Sequence, residues 1–261
     1  MNIAVIILLA IVQAITEFLP ISSSAHLLLV PWALQIADPG LAFDAAIHIG
    51  TALALLVFFG KDFWRLIKTK NKLLWYIVVA SVPAGLIGFF GDKFIEKTLH
   101  LSSFAPFIVG VGMILFSLLL YYVDRVGRKV EQEKEITLRQ SLFVGFAQVL
   151  AFIPGASRSG VTITAGLWLG FTREEAARFS FLLATPISLG AGLYKALEIF
   201  HSPTQSISSI NLIIGIVVTF LAGLVVMKWL LDYLKKHSML VFVIYRIAIG
   251  LGVILLWLLR R

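Results

Sequence analysis

Residues 13–26 read Gln13-Ala14-Ile15-Thr16-Glu17-Phe18-Leu19-Pro20-Ile21-Ser22-Ser23-Ser24-Ala25-His26. They break an otherwise apolar run over 3–34 near its middle, where a bilayer-crossing helix should be most hydrophobic. A second apolar run, 140–170, is broken in the same way by Pro154-Gly155-Ala156-Ser157-Arg158-Ser159-Gly160. At about 1.5 Å per residue, Ile3 to Glu17 covers about 20 Å, enough to reach the midplane but marginal for a crossing. Two half-helices joined by a polar tip explain both runs. Re-entrant hairpins are the preferred reading; two full spans per run are the alternative, with the same topological parity. Irregular backbone at that depth requires protein or a water-filled cavity around it.

Outside these runs the chain reads as ordinary membrane spans. Of 261 residues, 59% are hydrophobic and the mean hydropathy is +0.96, well above the roughly 45–50% apolar content of soluble domains. Six segments read as full spans: 41–60, 73–91, 104–123, 177–200, 210–231 and 239–259. The net charge of +8 does not point to nucleic acid, because the cations fall mostly in short loops between spans. Lys61, Arg65, Lys68, Lys70 and Lys72 follow the first span. Arg125, Arg128, Lys129, Lys134 and Arg139 follow the third, and Lys228, Lys235 and Lys236 the fifth. By the positive-inside rule these connections are cytoplasmic, so the first hairpin enters from outside and the second from the cytoplasm. Arg260-Arg261 then ends outside, against the trend. The chain has no cysteine, which excludes disulfides, zinc-thiolate sites and cysteine nucleophiles. Met1-Asn2-Ile3-Ala4 lacks a basic n-region and a cleavage site, and is read as part of the mature protein.

The two interrupted runs resemble each other. Gln13 through Pro20 is echoed by Gln148 through Pro154, one residue shorter, and a serine-rich tip follows each. Three spans follow each hairpin, and an odd number inverts the second unit. The expected fold is therefore all-α and integral to the membrane: six transmembrane helices plus two re-entrant helical hairpins in an inverted-topology repeat. One membrane domain covers 1–261, with repeat one at 1–123, a cytoplasmic loop at 124–139 and repeat two at 140–261. Such architectures place their sites at the midplane, where discontinuous helices meet.

Ionisable residues at that depth are functional candidates by default. Glu17 and Gln13 stand at i, i+4 on one helix face. A carboxylate with an amide oxygen suits a hard divalent cation, Mg²⁺ or Ca²⁺, completed by water and phosphate. The bland alternative is a hydrogen-bonded glutamate that stabilises the hairpin. Arg158 between Ser157 and Ser159 is arranged for an anion, since its planar fork binds phosphate oxygens bidentately. The helix after each tip adds free N–H groups. An Arg158–Glu17 ion pair is the competing role. The serines are candidates both for phosphate contact and for helix capping. His26 follows Ser22 and Ser23 by four and three residues, so a serine and a histidine on one face are a candidate nucleophile and base. His48, Asp44 and Arg246 are weaker candidates.

The stretch from Gln13 to His26 and the stretch from Pro154 to Gly160 together resemble the BacA-type undecaprenyl pyrophosphate phosphatases, whose patterns are roughly (E/Q)GxxEFLPxSSxGH and PGxSRSG. The resemblance extends to Phe43-Asp44 through Gly50-Thr51, to Phe179-Ser180-Phe181-Leu182 and to Tyr245-Arg246, so it covers essentially the whole chain. Departures are Gln13 where some members have glutamate, and Ala14 and Ala25 where glycine is usual. The resemblance implies a bacterial inner-membrane enzyme that removes the terminal phosphate from a C55 isoprenoid pyrophosphate. Its product, the monophosphate, carries cell-wall (peptidoglycan) precursors, and the activity is associated with bacitracin resistance. It further implies a homodimer, a divalent metal, and a site that opens to the extracytoplasmic side. Carried over by position, Glu17, Ser23, His26 and Arg158 match catalytic residues. Ser22, Ser157, Ser159 and Thr162 match further site residues and are expected to bind the phosphate; the metal is expected at Glu17 and Gln13 from their spacing, although Gln13 lacks the charge that glutamate brings in some members. A lipid-phosphate transporter is the main rival. A second membrane lipid-phosphatase class, with a PSGH…SRxxxxxH pattern, is disfavoured because the sixth residue after Arg158 is Thr164.

Overall fold

The computed structural model describes residues 2–36, 40–95, 104–128, 136–201 and 208–260, and these form eleven α-helices with no strand among them. The expected cations Lys129, Lys134 and Arg261 lie outside the described residues. The short helices α1 (Ile3–Phe18) and α2 (Ser23–Leu34) flank the first polar tip. Flanking the second are α7 (Leu138–Val149), with a 3₁₀ turn at Leu150–Phe152, and α8 (Arg158–Trp168). Each of these four is too short to cross a bilayer comfortably.

Five long apolar helices carry the spans: α5 (Lys72–Ile95), α6 (Ala105–Val126), α9 (Arg173–His201), α10 (Ser209–Leu234) and α11 (Leu240–Leu259). The expected first span differs in detail. Helix α3 (Leu41–Phe58) stops at Phe59, and the chain bends by 53° into α4 (Gly60–Lys68). The basic connection after the first span is thus partly helical. Lys61, Asp62, Arg65 and Lys68 alternate with Phe63, Trp64, Leu66 and Ile67, the amphipathic pattern of a helix lying along an interface.

The surface is inverted relative to a soluble protein. Phe89, Phe90, Trp75, Leu86 and Leu221 are exposed, while Gln13, Thr51, Asp124, Gln148, Thr219 and Arg246 are buried. Without a hydrophobic driving force between helices in lipid, association depends on close packing and internal polar contacts. Helices α6 and α11 show this in a reciprocal contact. A Cβ on Gly110 would lie 2.8 Å from the carbonyl oxygen of Gly250, and one on Gly250 would lie 2.8 Å from that of Gly110.

Ion pairs gather the basic connections at one end. Arg178 Nη2 reaches Asp62 Oδ1 at 2.6 Å, tying α4 to α9. The buried Asp124 accepts from Arg173 Nε at 2.6 Å and from Arg173 Nη2 at 3.2 Å. It also accepts from the Met239 backbone N–H at 3.2 Å, so the ends of α6, α9 and α11 meet there. At the opposite end of α11, the Arg260 guanidinium lies 4.4 Å over the Trp32 ring and donates to the Trp32 carbonyl at 3.2 Å. That contact gives the outlying arginine a partner on α2.

The hairpins follow these ends. Ala10 meets Thr219 and Phe18 meets Gly223, so α1 runs with α10, and α2 ends at Trp32 beside Arg260. Gly145 meets Ala80 and Phe152 meets Gly88, so α7 runs with α5, while α8 brings Leu167 back to Gly127 at the ion-paired end.

Candidate active site

Proline ends both incoming helices. Lacking an N–H and crowding the preceding residue into extended backbone, Pro20 and Pro154 follow Leu19 at φ −70°, ψ 148° and Ile153 at φ −73°, ψ 124°. The outgoing helices then start from serines in rare left-handed conformations, Ser22 at φ 76° and Ser157 at φ 72°. A non-glycine residue held there typically costs about 1–3 kcal/mol and persists only when its surroundings fix it. Two serines strained alike at corresponding positions pair Ser22 with Ser157, and so place Ser23 and Arg158 at the same first position of their helices.

The two tips meet through Glu17 and Arg158. Arg158 Nη2 donates to Glu17 Oε1 at 2.8 Å, with side chains 15% and 11% exposed. The second carboxylate oxygen, Oε2, accepts from Ser23 Oγ at 2.6 Å and from Gln13 Nε2 at 3.2 Å. Two buried atoms here have no hydrogen-bond partner: Arg158 Nη1 and Gln13 Oε1. A buried donor and a buried acceptor, both unmet, on two residues that contact Glu17 are groups that a polar ligand or water would satisfy.

His26 belongs to the same cluster but not to Ser23. Its Nδ1 lies 2.7 Å from the Ser22 carbonyl oxygen and its Nε2 lies 2.8 Å from Tyr245 Oη. A carbonyl only accepts, so Nδ1 carries the proton and Nε2 accepts from the tyrosine hydroxyl. Both ring nitrogens are engaged, and the Ser23 hydroxyl turns to Glu17 instead.

The remaining hydroxyls tie the tips together. Ser157 Oγ caps α8 by accepting from the Gly160 N–H at 3.1 Å. Ser159 Oγ donates across the interface to the Leu19 carbonyl at 2.8 Å. The Ser157 and Ser159 hydroxyls lie 3.2 Å apart, matched by Ser22 and Ser24 at 3.4 Å. Thr162 Oγ1 donates to the Arg158 carbonyl at 2.8 Å and lies 2.6 Å from Ser180 Oγ of α9, supporting Arg158 from behind. Glu17 is thus the hub that Gln13, Ser23 and Arg158 all contact, and Ser159 bonds across from the second tip to the first. His48 and Asp44 stand together on α3, with His48 Nδ1 2.7 Å from the Asp44 carbonyl.

Tyr245, which had no role assigned, and Arg246, a weaker candidate expected to pair with a carbonyl, prove central on α11. Tyr245 holds His26. Arg246, fully buried, donates from Nη1 to the Pro20 carbonyl at 3.1 Å and from Nη2 to the carbonyls of Gly155 at 2.8 Å and Ala156 at 3.0 Å. A charged residue inside an apolar span was the available signal, but a lone arginine there does not say which backbone it meets.

Comparison with known proteins shows the family. The profile of the family described as bacitracin resistance protein BacA matches residues 6–252. A protein named undecaprenyl-diphosphatase from Desulforudis audaxviator is 40% identical over 97% of both chains. One of the same name from Alteromonas mediterranea is 41% identical over 97% of both, and one from Moorella thermoacetica is 40% identical over 98% of both. With its paired tips, its two signature stretches and a match across nearly its whole length, the chain belongs to the BacA family.

Proposed function

We propose that this chain hydrolyses undecaprenyl pyrophosphate to undecaprenyl phosphate and inorganic phosphate, recycling the carrier of cell-wall precursors and thereby conferring bacitracin resistance. The observation that carries this reading is the Arg158 guanidinium. One arm is held by Glu17, and the other is buried and unmet at the first turn of α8, where backbone N–H groups also lack helical acceptors.

Phosphoanhydride cleavage is catalysed chiefly by positioning and by offsetting charge on the phosphate oxygens. Arg158 and the α8 terminus do this for the terminal phosphate. Ser23 Oγ, 2.6 Å from Glu17 Oε2, attacks the phosphorus as its proton passes to that carboxylate. The anhydride P–O bond breaks and its electron pair leaves on undecaprenyl phosphate. Water then cleaves the serine phosphate, freeing inorganic phosphate: its proton passes to His26 Nε2 as that nitrogen exchanges the Tyr245 hydroxyl for the water, and the serine oxygen recovers its own proton from Glu17.

A hard divalent cation is bound by few protein oxygens together with water and substrate phosphate oxygens. Glu17 and the unpaired Gln13 Oε1 fit such a substrate-borne Mg²⁺ or Ca²⁺, which would supply further charge neutralisation.

The architecture is read as an inverted-topology repeat in the bacterial inner membrane. The matched strained serines, the α1–α10 and α5–α7 pairings and the reciprocal Gly110–Gly250 contact support it. The site is read as opening to the extracytoplasmic side and the protein as a homodimer, both on the strength of the family resemblance.

Phosphate release by detergent-solubilised protein tests the function, because transport has no meaning there. Wild type should release phosphate from undecaprenyl pyrophosphate, and Arg158→Ala should not. Full activity in Arg158→Ala would refute the site. Near-wild-type turnover in Ser23→Ala would refute the serine route, and no release by folded wild type would favour lipid-phosphate transport.

A further inference from the structure

We propose that Tyr245 and Arg246, consecutive residues of α11, are positioning residues of this reaction: Arg246 fixes the two tips against each other and Tyr245 fixes the ring of His26. The proposal rests on the hydrolase reading above.

Arg246 is fully buried, and among the described residues its hydrogen-bond acceptors are backbone carbonyls: Pro20 on the first tip, Gly155 and Ala156 on the second. A guanidinium without a carboxylate partner is an expensive way to fill space in a membrane interior. Its planar fork, however, spans carbonyls from two separate chain segments in a fixed geometry, which a compact ammonium with three rotatable donors does not impose. The acceptors bracket the chemistry. Pro20 stands three residues before Ser23, and Ala156 two before Arg158. Nη1 also stands against the first turn of α8, 3.0 Å from where a Cβ on Gly160 would lie. The distance between the serine nucleophile and the arginine that holds its target is thereby tied to one side chain.

Tyr245 acts on the other partner. Its hydroxyl lies 2.8 Å from His26 Nε2, and the two rings lie nearly parallel, 8° apart, with centroids separated by 5.7 Å. With Nδ1–H held by the Ser22 carbonyl, the imidazole is restrained at both nitrogens. The helix carrying both residues is itself fixed, because Gly250, one turn beyond Arg246, makes the reciprocal close contact with Gly110. Rigid support of this kind is what a catalytic constellation needs to stay within fractions of an ångström of its productive geometry.

The test uses full-length wild type, Tyr245→Phe, Arg246→Lys and Arg246→Met in detergent. Phosphate release from undecaprenyl pyrophosphate gives kcat and KM separately, thermal unfolding gives Tm, and ¹⁵N-histidine NMR reads the His26 ring, assigned by its loss in His26→Asn. Tyr245→Phe should lower kcat about tenfold, the scale of one lost hydrogen bond. Its KM should stay within about twofold and its Tm unchanged, and the His26 Nε2 resonance should move towards that of an unbonded nitrogen. Arg246→Lys should fold and lose about a hundredfold in kcat, the scale of an ångström of misplacement; Arg246→Met should lose at least as much. Wild-type kcat in Tyr245→Phe and Arg246→Lys, with Arg158→Ala inactive, would overturn the dyad and leave the hydrolase reading standing. So would losses that merely follow the folded fraction. If wild type releases no phosphate, the hydrolase reading fails, and with it the claim that the dyad serves this reaction. An Nε2 resonance unmoved in Tyr245→Phe would separately overturn the tyrosine's part.

Discussion

A single methyl group placed on α6, away from every reacting atom, should disable this protein. Gly112 faces the second tip, and a Cβ there would lie 2.1 Å from the Pro154 carbonyl oxygen and 3.2 Å from its carbon. Carbon–oxygen contacts in proteins run at about 3.3 Å or more, so in Gly112→Ala the tip must retreat by about 1.2 Å. It has little room to do so. Gly155, at φ +83°, would place a Cβ 2.4 Å from the Val109 carbonyl, and its own carbonyl is held by Arg246. The displacement therefore passes to Arg158, four residues after Pro154. A misplacement near 1 Å costs on the order of a hundredfold in rate, and overpacking costs about 1–3 kcal/mol of stability, which lowers Tm by several degrees. Phosphate release and thermal unfolding of the purified variant measure both. Gly85→Ala and Gly252→Ala serve as controls, because a Cβ at either position meets nothing within 4 Å; both should behave as wild type. A Gly112→Ala protein with wild-type kcat and Tm would show that the tip does not depend on this contact, and the rigid-tip argument would fail.

Three further outcomes are expected. Glu17→Gln keeps the shape but removes the acceptor for the Ser23 proton and the counter-charge of Arg158; kcat should fall by about 10²–10⁴, and activity within tenfold of wild type would exclude Glu17 as base. Treating the enzyme with a chelator should abolish phosphate release, and Mg²⁺ or Ca²⁺ should restore it; turnover unaffected by thorough chelation would remove the cation from the proposal. Asp124→Asn breaks a buried pair with Arg173 at the ion-paired end. It should cost about 3–5 kcal/mol of stability while leaving the kcat of folded protein unchanged, so a specific loss of turnover would contradict the separation of that end from the site.

Much of the site was legible because membrane burial makes polar residues conspicuous. Glu17, Arg158 and the serines stand out against apolar surroundings at the depth where their cost is greatest, and a proline before each serine tip announces where the helix must stop. The contact between the two tips was anticipated by matching Gln13 with Gln148, and it is made by the Arg158–Glu17 pair. What stayed hidden depended on which surfaces face each other. The bend at Phe59 follows from burying that ring while α4 turns its cations outward, and an apolar count over 41–60 does not register it. Serine and histidine three residues apart share a helix face, so spacing suggested that they pair. Yet Ser23 begins α2 with its hydroxyl directed back across the tip to Glu17, and His26 bonds the Ser22 carbonyl and a tyrosine 219 positions away.

That tyrosine and the arginine beside it also bear on why the two half-sites differ. At the paired helix starts the first tip presents Ser23 and the second presents Arg158, a nucleophile facing an anion-binding cation. Neither tip alone holds both, so the chemistry exists only where the two meet. The backbone of each tip is strained at its serine and ends in unpaired carbonyls, and nothing within a single hairpin satisfies them. A cation from outside both hairpins does so, through the carbonyls of Pro20, Gly155 and Ala156. An aliphatic residue at position 246 would leave those three acceptors unmet in the membrane interior, a cost of a few kcal/mol for each. The charge of Arg246 is therefore better explained by what it joins than by any contact with substrate.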